Sequence, residues 1–413
     1  MKVYIPIDEK RFDFKELAKY TNPVLIRLGK KPIVSYIIEM YPIGTEFIIS
    51  TDYFVDHLKD FVSLVYPNIK FTFIGSEQTS DSLQFPHIHH HSDLVIDKRY
   101  PNIFFKVNDM KSLLQVREMI HDKFDNLDKV DESLFFFKDF AIKFFADEKK
   151  ILARVERGKL LGGLVPETLE IKKNFYKYSY IKGDTYSNVA NPKNFKNFLN
   201  WASIKLWKSK KTVPVEEFKK ICLDFYEKKT KERVNKFMSV NKIVDRKMTI
   251  NGKKVPDINT LLSKVNFDNL SNGVQTQFHG DFILENVILN KNKYTLLDWR
   301  QDFGGLLKTG DMYYDLAKLY HNLVVNHDIV TQNRFAIKIK GNSVTCSIDR
   351  KPHLVECEKT FDEFIISKGN DLNKIKILRA IIWLNMSPLH HYPFNIFLFY
   401  FGKYNLYKAL NEK

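Results

Sequence analysis

The first 130 residues alternate between two kinds of apolar segment. KVYIPI (2–7) and EFIIS (46–50) have the length and apolar content of buried strands, whereas FVDHLKDFVSLVY (54–66) spaces its apolar residues as a helix does. Alternation of strand and helix is typical of a parallel sheet covered by helices. We therefore predict an N-terminal parallel α/β, Rossmann-like domain over residues 1–130.

The pattern changes twice further along the chain. Residues 133–182 indicate a compact β-rich section around one helix, and residues from about 190 onward are mostly helical. The segment 215–238 shows this best, because its apolar residues recur at i, i+3, i+4 and i+7 behind Pro214. The predicted domains are 1–130, 131–190 and 191–413, so the fold class is α/β plus α+β.

The segment from Phe278 to Leu319 contains the candidate catalytic and metal-binding residues. It contains H-G-D-x-x-x-x-N, from His279 to Asn286, then two apolar strands at 287–289 and 294–297, the second ending in Asp298. Phosphoryl transfer requires one carboxylate near the acceptor hydroxyl and hard oxygen ligands for Mg²⁺. Asp281 fits the first role, and Asp298 with Asn286 fits the second. The alternative is a surface loop, since Asp and Asn also favour turns.

This segment resembles the catalytic and metal-binding region of aminoglycoside phosphotransferases, choline kinases and related protein-kinase-like enzymes. The resemblance implies a bilobal phosphotransferase domain with a helical C-lobe, ATP and Mg²⁺ as cofactors, and catalytic roles at Asp281 and His279. For His279 we favour bracing of the loop by hydrogen bonds over a role as base. Asp311 and Asp315, ahead of and within D-L-A, are expected to cap or brace the following helix.

The nucleotide-binding lobe of such a fold needs a strand lysine and an acidic partner. Lys143 lies within the apolar strand FAIKFF, and Glu156 lies on the helix that follows. Their resemblance to the family's lysine–glutamate pair implies contact with the ATP phosphates. The alternative is a solvent-facing lysine at a strand edge and a glutamate on the helix surface.

A hinge is predicted where two strands end at YIKGD. Tyr180, Ile181 and Lys182 are expected to line the adenine site through backbone groups, and Gly183 to permit the turn. No G-x-G-x-x-G loop precedes Lys143, which departs from the kinase pattern.

The N-terminal segment NPVLIRLGKKPIVSYIIEMY resembles sugar-nucleotide nucleotidyltransferases. The residues before it, KRFDFKELAKYT, contain no glycine for a phosphate-binding loop. We interpret the domain as a degenerate, non-catalytic unit used for packing or assembly, and as a candidate for homo-oligomer formation. A residual nucleotide-sugar site stays open as an alternative.

Two histidine-rich segments are interpreted structurally. For His87, His89, His90 and His91 an exposed or partly buried polar loop is favoured over a metal site. His390, His391 and Tyr392 have two possible interpretations. They line the mouth of a pocket, or they pack with other aromatic side chains around a helix kink.

Composition argues against several classes of protein, namely nucleic-acid-binding, disulfide-rich and membrane-spanning proteins. The 413 residues have a net charge of +16, but the lysines are scattered, which favours a solvated surface over nucleic-acid binding. Three cysteines without CxxC spacing argue against a disulfide framework. No apolar run has the roughly 18 residues of a membrane span, and no signal peptide is evident, so we expect a cytoplasmic protein.

These observations predict an ATP-dependent phosphotransferase. Its acceptor would be a hydroxyl of a small molecule, a sugar or amino-alcohol used in cell-surface glycan biosynthesis, with no nucleic acid as partner. The alternative is a pseudokinase-like scaffold or a nucleotide-sugar binding module in a glycan-assembly complex.

Overall fold

The structure is a computed structural model that describes residues 1–78, 83, 86–97, 99, 102–120 and 129–411. It divides into two compact units, which the chain enters alternately. Unit 1 comprises Met1–Glu156 and Pro166–Ile181, and unit 2 comprises Arg157–Val165 and Lys182–Lys413.

Unit 1 contains twelve strands and four helices within its described residues. The strands are β1 (Lys2–Pro6), β2 (Arg27–Leu28), β3 (Lys31–Pro32), β4 (Glu46–Ser50), β5 (Phe71–Ile74), β6 (Ile88–His89), β7 (Leu94–Val95), β8 (Phe105–Lys106), β9 (Glu132–Phe136), β10 (Phe140–Phe145), β11 (Thr168–Ile171) and β12 (Phe175–Ser179). The helices are α1 (Ile33–Ile38), α2 (Val55–Val65), α3 (Met110–Met119) and α4 (Glu148–Leu161), the last of which continues into unit 2.

The first sheet has the order β5-β4-β1-β6, and each neighbouring pair is parallel. Its inner strand β1 buries Val3 and Ile5 on one face and Tyr4 on the other, as a strand covered on both faces does. The predicted parallel sheet is confirmed. The assignment of this region to a Rossmann-like domain stays a prediction.

The second sheet is antiparallel, with the order β11-β12-β10-β9. It shares one apolar core with the first sheet. The Phe61 ring of α2 lies 5.4 Å from the Phe135 ring and 6.1 Å from the Phe175 ring, centroid to centroid. The core of unit 1 therefore continues past residue 130, and the domain boundaries inferred from the sequence stay predictions.

Unit 2 is mostly helical, as predicted for residues 191–413. Its strands are β13 (Asp184–Thr185), β14 (Met248–Ile250), β15 (Lys253–Val255), β16 (Gln275–Thr276), β17 (Val287–Asn290), β18 (Lys293–Leu296), β19 (Gly310–Asp311), β20 (Phe335–Lys340) and β21 (Ser343–Ile348). Its helices are α5 (Tyr186–Val189), α6 (Pro192–Lys205), α7 (Val215–Leu223), α8 (Lys229–Asn241), α9 (Ile258–Ser263), α10 (Phe267–Leu270), α11 (Met312–Asn322), α12 (His327–Thr331), α13 (Pro352–Ser367), α14 (Leu372–Met386) and α15 (Phe394–Asn411).

The helix predicted over 215–238 is present but is interrupted by a π-helical turn, Asp224–Lys228, between α7 and α8. The turn buries two consecutive aromatic side chains, Phe225 and Tyr226. Phe225 stacks on Phe303 with ring centroids 4.4 Å apart. A π-turn has one residue more than an α-helical turn but keeps the helical direction, so the sequence spacing did not indicate it.

Helices α11, α14 and α15 provide much of the core of unit 2. The run FNIFLFYF begins α15 and buries Phe397, Leu398 and Phe399. In the part of the chain that the structure describes, no helix combines the length and apolarity needed to cross a membrane.

Candidate active site

The catalytic-type loop, residues 278–286, leads from β16 into a short 3-10 helix and then β17. Gly280 has a φ of +88°, and a Cβ there would lie 2.8 Å from the Cβ of Arg300. Glycine is therefore needed at the centre of H-G-D. At the other end of the loop, the Leu284 amide donates to the Asn322 side chain of α11 at 2.9 Å.

His279 is fully buried, and both ring nitrogens are engaged. Nε2 lies 2.9 Å from the carbonyl oxygen of Leu297 and donates to it, and Nδ1 accepts from the Asp281 amide at 3.3 Å. Burial lowers the pKa of His279 to about 4, although Asp281 and Asp298 act in the opposite direction. The ring is thus neutral near pH 7 and fits a bracing role better than that of a base.

The two aspartates of the α11 segment have different functions. Asp311 caps α11, because its carboxylate accepts from the Tyr313 amide at 3.1 Å, and this confirms the expected cap. The expectation was wrong for Asp315, whose carboxylate braces the catalytic-type loop instead. Its carboxylate accepts from the amides of His279 and Gly280, each at 2.7 Å.

The Asp315 carboxylate is held by hydrogen bonds that no sequence pattern predicted. It also accepts from the indole nitrogen of Trp207 at 3.2 Å. Burial raises the pKa of Asp315 to about 6, and its three hydrogen-bond donors oppose that rise. A buried carboxylate saturated by loop amides holds the backbone of H-G-D in one conformation.

Asp281 forms an ion pair with Lys318 of α11, with Nζ 2.7 Å from Oδ1. Burial raises the pKa of Asp281, but the Lys318 ammonium outweighs burial and the net pKa is lowered. The Asn286 amide donates to the other carboxylate oxygen at 3.2 Å and to the Asp281 carbonyl at 3.0 Å. Asp281 is consequently ionised and held in a fixed orientation.

Asp298 follows β18, which pairs with β17 in the predicted hairpin. The hairpin places the two metal-ligand candidates side by side, because the Leu297 amide donates to the Asn286 carbonyl at 2.7 Å. Asp298 has a φ of +52°, a conformation that costs roughly 1–2 kcal/mol for a non-glycine residue and that often marks functional sites. Its charge acts on both His279 and Asp281, so the carboxylates share one neighbourhood.

The donor pair of Asn286 and Asp298 fits Mg²⁺. It offers one amide oxygen and one carboxylate, the hard oxygen ligands that Mg²⁺ prefers. The Asn286 nitrogen is already turned towards Asp281, which directs its amide oxygen to the other side. The assignment of these residues to a metal and a reaction stays a prediction.

Arg157 also supports the loop and was missed from the sequence. Its guanidinium donates to the Phe278 carbonyl at 2.5 Å and to the Leu307 carbonyl at 3.2 Å. It lies 3.8 Å from the centroid of the Phe278 ring. No motif distinguishes Arg157 or Lys318 from other basic residues on amphipathic helices, so only the fold identifies them.

In unit 1, Lys143 lies buried on β10, and its Nζ is 3.5 Å from the Glu132 carboxylate of β9. No sequence pattern singles out Glu132, which opens the neighbouring strand. Glu156 is exposed on α4. The pairing of Lys143 with Glu156 stays a prediction.

The predicted hinge coincides with a passage between the units, since unit 1 ends at Ile181 and unit 2 resumes at Lys182. The Tyr180 amide donates to the Asp139 carbonyl at 3.0 Å, and the Lys182 carbonyl accepts from Asn290 at 3.0 Å. Gly183 has a φ of +150°, and a Cβ there would lie 2.6 Å from the Leu289 oxygen. The need for glycine is confirmed, and adenine binding at 180–182 stays a prediction.

The PHIHHH segment was expected to be a loop, but Ile88 and His89 form β6, paired with β1. His90 is buried and bonds to Tyr41 and to the Leu94 carbonyl. Among the described residues, no group of three or more His, Cys, Asp or Glu side chains is arranged to hold a metal ion. At the other end of the chain, His390 packs against Phe394 with ring centroids 5.0 Å apart.

Comparison with known proteins gives only distant similarities. No protein-family model matches the chain, and no curated protein sequence matches it. Solved structures that match include a choline/ethanolamine kinase family protein from Mesorhizobium loti (14% identity, 70% of this chain and 87% of that chain, TM-score 0.37). They also include an ADP-bound aminoglycoside phosphotransferase (12%, 73% and 97%, TM-score 0.35) and a Plasmodium vivax ethanolamine kinase (10%, 74% and 89%, TM-score 0.36). At these TM-scores the likeness supports no further conclusion, and the site's own residues must support any assignment.

Proposed function

We propose that the protein is a Mg²⁺- and ATP-dependent phosphotransferase that acts on a hydroxyl of a small molecule. The observation that supports this most is the arrangement of Asp281, Asn286 and Asp298 on one loop and hairpin of unit 2. An ionised carboxylate beside two further oxygen donors is the set that phosphoryl transfer requires, because positioning and charge stabilisation dominate this reaction.

Asp281 orients the acceptor in this proposal. Its lowered pKa keeps it ionised, so it accepts a hydrogen bond from the acceptor hydroxyl. The hydroxyl oxygen forms a bond to the γ-phosphorus, and the bond from that phosphorus to the β,γ-bridging oxygen breaks. ADP leaves with the electron pair, and the hydroxyl proton passes to the Asp281 carboxylate and then to water.

Asn286 and Asp298 would hold Mg²⁺, which supplies positive charge that neutralises the phosphates. The left-handed conformation of Asp298 turns its carboxylate at the end of β18, and the β17–β18 pairing fixes Asn286 opposite. His279 keeps this geometry by its bond to Leu297, directly before Asp298.

The nucleotide would be held by unit 1 and the hinge. Lys143 would contact the ATP phosphates, with Glu132 or Glu156 as its acidic partner, and the backbone of Tyr180, Ile181 and Lys182 would line the adenine site. Lys143 is buried on the central strand of its sheet next to Glu132, which supports an oriented rather than a solvent-facing amine.

The biological setting is also part of the proposal. A sugar or amino-alcohol acceptor in cell-surface glycan biosynthesis follows from the nucleotidyltransferase-like N-terminal segment, and the same segment is the candidate surface for homo-oligomers. A cytoplasmic location fits an ATP-dependent enzyme. A pseudokinase-like scaffold is the alternative, favoured by the absence of G-x-G-x-x-G before Lys143 in the sequence.

Replacement of Asp298 tests the function. We expect Asp298→Ala to lower ATP turnover by at least about 10³-fold without loss of folding, because the phosphate charge would be left uncompensated. Turnover should be measured by ADP release with pooled sugars and amino-alcohols as acceptors. Asp268→Ala is the control, since Asp268 forms an exposed ion pair with Lys219 and such pairs contribute little.

An unchanged rate in Asp298→Ala would contradict the assignment. A thermal shift with and without Mg·ATP separates the enzyme from the scaffold alternative. Stabilisation by Mg·ATP that Asp298→Ala abolishes, together with phosphate transfer, supports the enzyme. Stabilisation without any transfer supports the pseudokinase.

A further inference from the structure

Four basic side chains gather beside the catalytic-type loop in unit 2, and the phosphotransfer roles above use only one of them, Lys318 as the partner of Asp281. They come from three separate elements: Lys229 and Arg233 from α8, Arg300 from the segment after β18, and Lys318 from α11. Lys318 makes the direct link to the loop through its ion pair with Asp281. We call this set the basic cluster.

Two aromatic rings organise the basic cluster. The Lys229 Nζ lies 3.7 Å from the centroid of the Phe225 ring, and the Arg300 guanidinium lies 5.5 Å from the same centroid. Arg300 also donates to the Tyr314 hydroxyl at 3.2 Å, and the Tyr314 ring is 5.0 Å from the Phe225 ring. Arg233 donates to the Asn385 carbonyl at 2.9 Å, which fixes it on the same side of α8.

The backbone is built to present Lys229 at this position. The π-turn Asp224–Lys228 ends directly before Lys229, so the first residue of α8 lies over the buried Phe225 ring four residues earlier. Such π-turns occur preferentially at functional sites.

The charges of the basic cluster are poorly compensated. Among the described residues, no carboxylate lies within ion-pair distance of Lys229, Arg233 or Arg300, and the Asp281 carboxylate is occupied by Lys318. Burial lowers the pKa of Lys229 to about 6, the charges of Arg300, Arg233 and Lys318 lower it further, and the charge of Asp302 acts in the opposite direction. Half-buried cations of one sign are unfavourable without a counter-charge, which is why the free Lys229 amine loses its proton readily. A bound anion would supply the counter-charge and favour the protonated amine.

We propose that the acceptor of the phosphotransfer reaction carries an anionic group, a phosphate or carboxylate, which the basic cluster binds while Asp281 receives the acceptor hydroxyl. Lys229 and Arg300 would contact the anion, Arg233 would add to the positive field, and Lys318 would connect the anion site with the carboxylate that orients the hydroxyl. Guanidinium groups match phosphate and carboxylate oxygens in a bidentate manner. This inference rests on the proposed function and makes its acceptor class an anionic one.

Matched acceptors test the charge preference. Glucose 6-phosphate and gluconate would be compared with glucose and glucosamine, and glycerol 3-phosphate with glycerol and ethanolamine. We expect kcat/KM to be at least about tenfold higher for the anionic member of each set, since one charge-assisted contact accounts for a difference of that size. Higher values for the neutral or cationic members would overturn the inference but leave the phosphotransferase assignment intact.

Lys229→Met tests the site itself, because methionine retains the packing on Phe225 without the charge. We expect KM for the anionic acceptor to rise at least about tenfold, while KM for ATP stays unchanged. Lys228→Met, at the neighbouring exposed position, is the matched control and should behave as wild type. A rise in KM for ATP instead would assign the basic cluster to the nucleotide phosphates and overturn the inference.

A binding measurement covers the case in which none of these acceptors turns over. The amine of Lys229 should react readily with acetic anhydride near pH 7.5, since its pKa is about 6. Glycerol 3-phosphate should slow acetylation of Lys229 several-fold and leave Lys228 unaffected. Equal acetylation rates with and without glycerol 3-phosphate would overturn the anion site. Absence of any ATP turnover by the wild-type protein would count against the proposed function alone.

Discussion

His279 shows how burial sets the protonation state of one ring. The side chain is fully buried, donates to the Leu297 carbonyl and accepts from the Asp281 amide, so a second proton on Nδ1 would break a loop hydrogen bond. Its pKa is lowered to about 4, chiefly by burial, while the unfolded chain would protonate near pH 6.5. Neutral His279 therefore stabilises the fold above pH 6.5, and this contribution is lost as the pH falls towards 4.

The variant His279→Gln tests this pH dependence. Wild type should be more stable than the variant at pH 7.5, and its advantage should shrink by about 2–3 kcal/mol at pH 4.5, since only wild type has this ring to protonate. Urea unfolding followed by tryptophan fluorescence measures the difference, because all four tryptophans lie in unit 2: Trp201, Trp207, Trp299 and Trp383.

The comparison between variants removes the opposing effect of Asp315. Its raised pKa makes the folded state gain stability as the pH falls from about 6 to 4, but Asp315 is present in both proteins. His391→Gln replaces an exposed histidine and is the control for the substitution itself. A constant difference for His279→Gln would mean that the ring is not held neutral by the fold.

At the scale of single residues, the sequence predicted the candidate site residues, whose roles stay predictions, and it missed the residues that support them. Asp281, Asn286 and Asp298 follow a spaced pattern that the chemistry requires, and the hairpin brings them together. Lys318 and Arg157 contact the same loop from distant points of the chain, the latter across 121 positions to Phe278. Their function depends on tertiary contact, so no local pattern reveals it.

Secondary-structure elements were predictable where their period is regular. The β17–β18 hairpin lies within a few residues of its predicted strands, and α11 follows Asp311 as expected, because apolar periodicity marks both. The π-turn in 215–241 escaped prediction, since Phe225 and Tyr226 also fit a regular helical stripe. The role of Asp315 escaped for a similar reason, because a first-turn aspartate ordinarily serves its own helix.

Strand β13 depends on one glycine. Gly183→Ala should destabilise unit 2 by about 2–4 kcal/mol, because the new Cβ would lie 2.6 Å from the Leu289 oxygen of β17 and the backbone must shift. Gly341→Ala is the control, because Gly341 has a φ of +55° with open space around it and should lose only about 1 kcal/mol. Tryptophan-detected urea unfolding compares the two, and equal losses would show that the Leu289 contact is unimportant.

At the scale of the whole molecule, the apolar core of unit 1 extends past residue 130, where the sequence pattern predicted a domain boundary. Composition and pattern change near residue 130, yet Phe61 of α2 packs on Phe135 and Phe175 of the second sheet. Lys177 of β12 also donates to the Leu64 carbonyl at 2.9 Å. Long-range aromatic packing of this kind leaves no trace in local periodicity, which is why the pattern change suggested a boundary there.

Deletion of residues 1–130 decides whether the second sheet depends on the shared core or folds as a separate domain. We expect the chain 131–413 to lose the hydrogen-exchange protection of β9–β12, because Phe135 and Phe175, now 1% and 0% exposed, would lie open to water. In the full chain, Phe61→Ala should destabilise the same strands by about 3–5 kcal/mol through the cavity it leaves, without altering tryptophan fluorescence. If 131–413 retained full protection of β9–β12, the second sheet would fold independently, the shared core would contribute little, and the boundary near residue 130 would be correct.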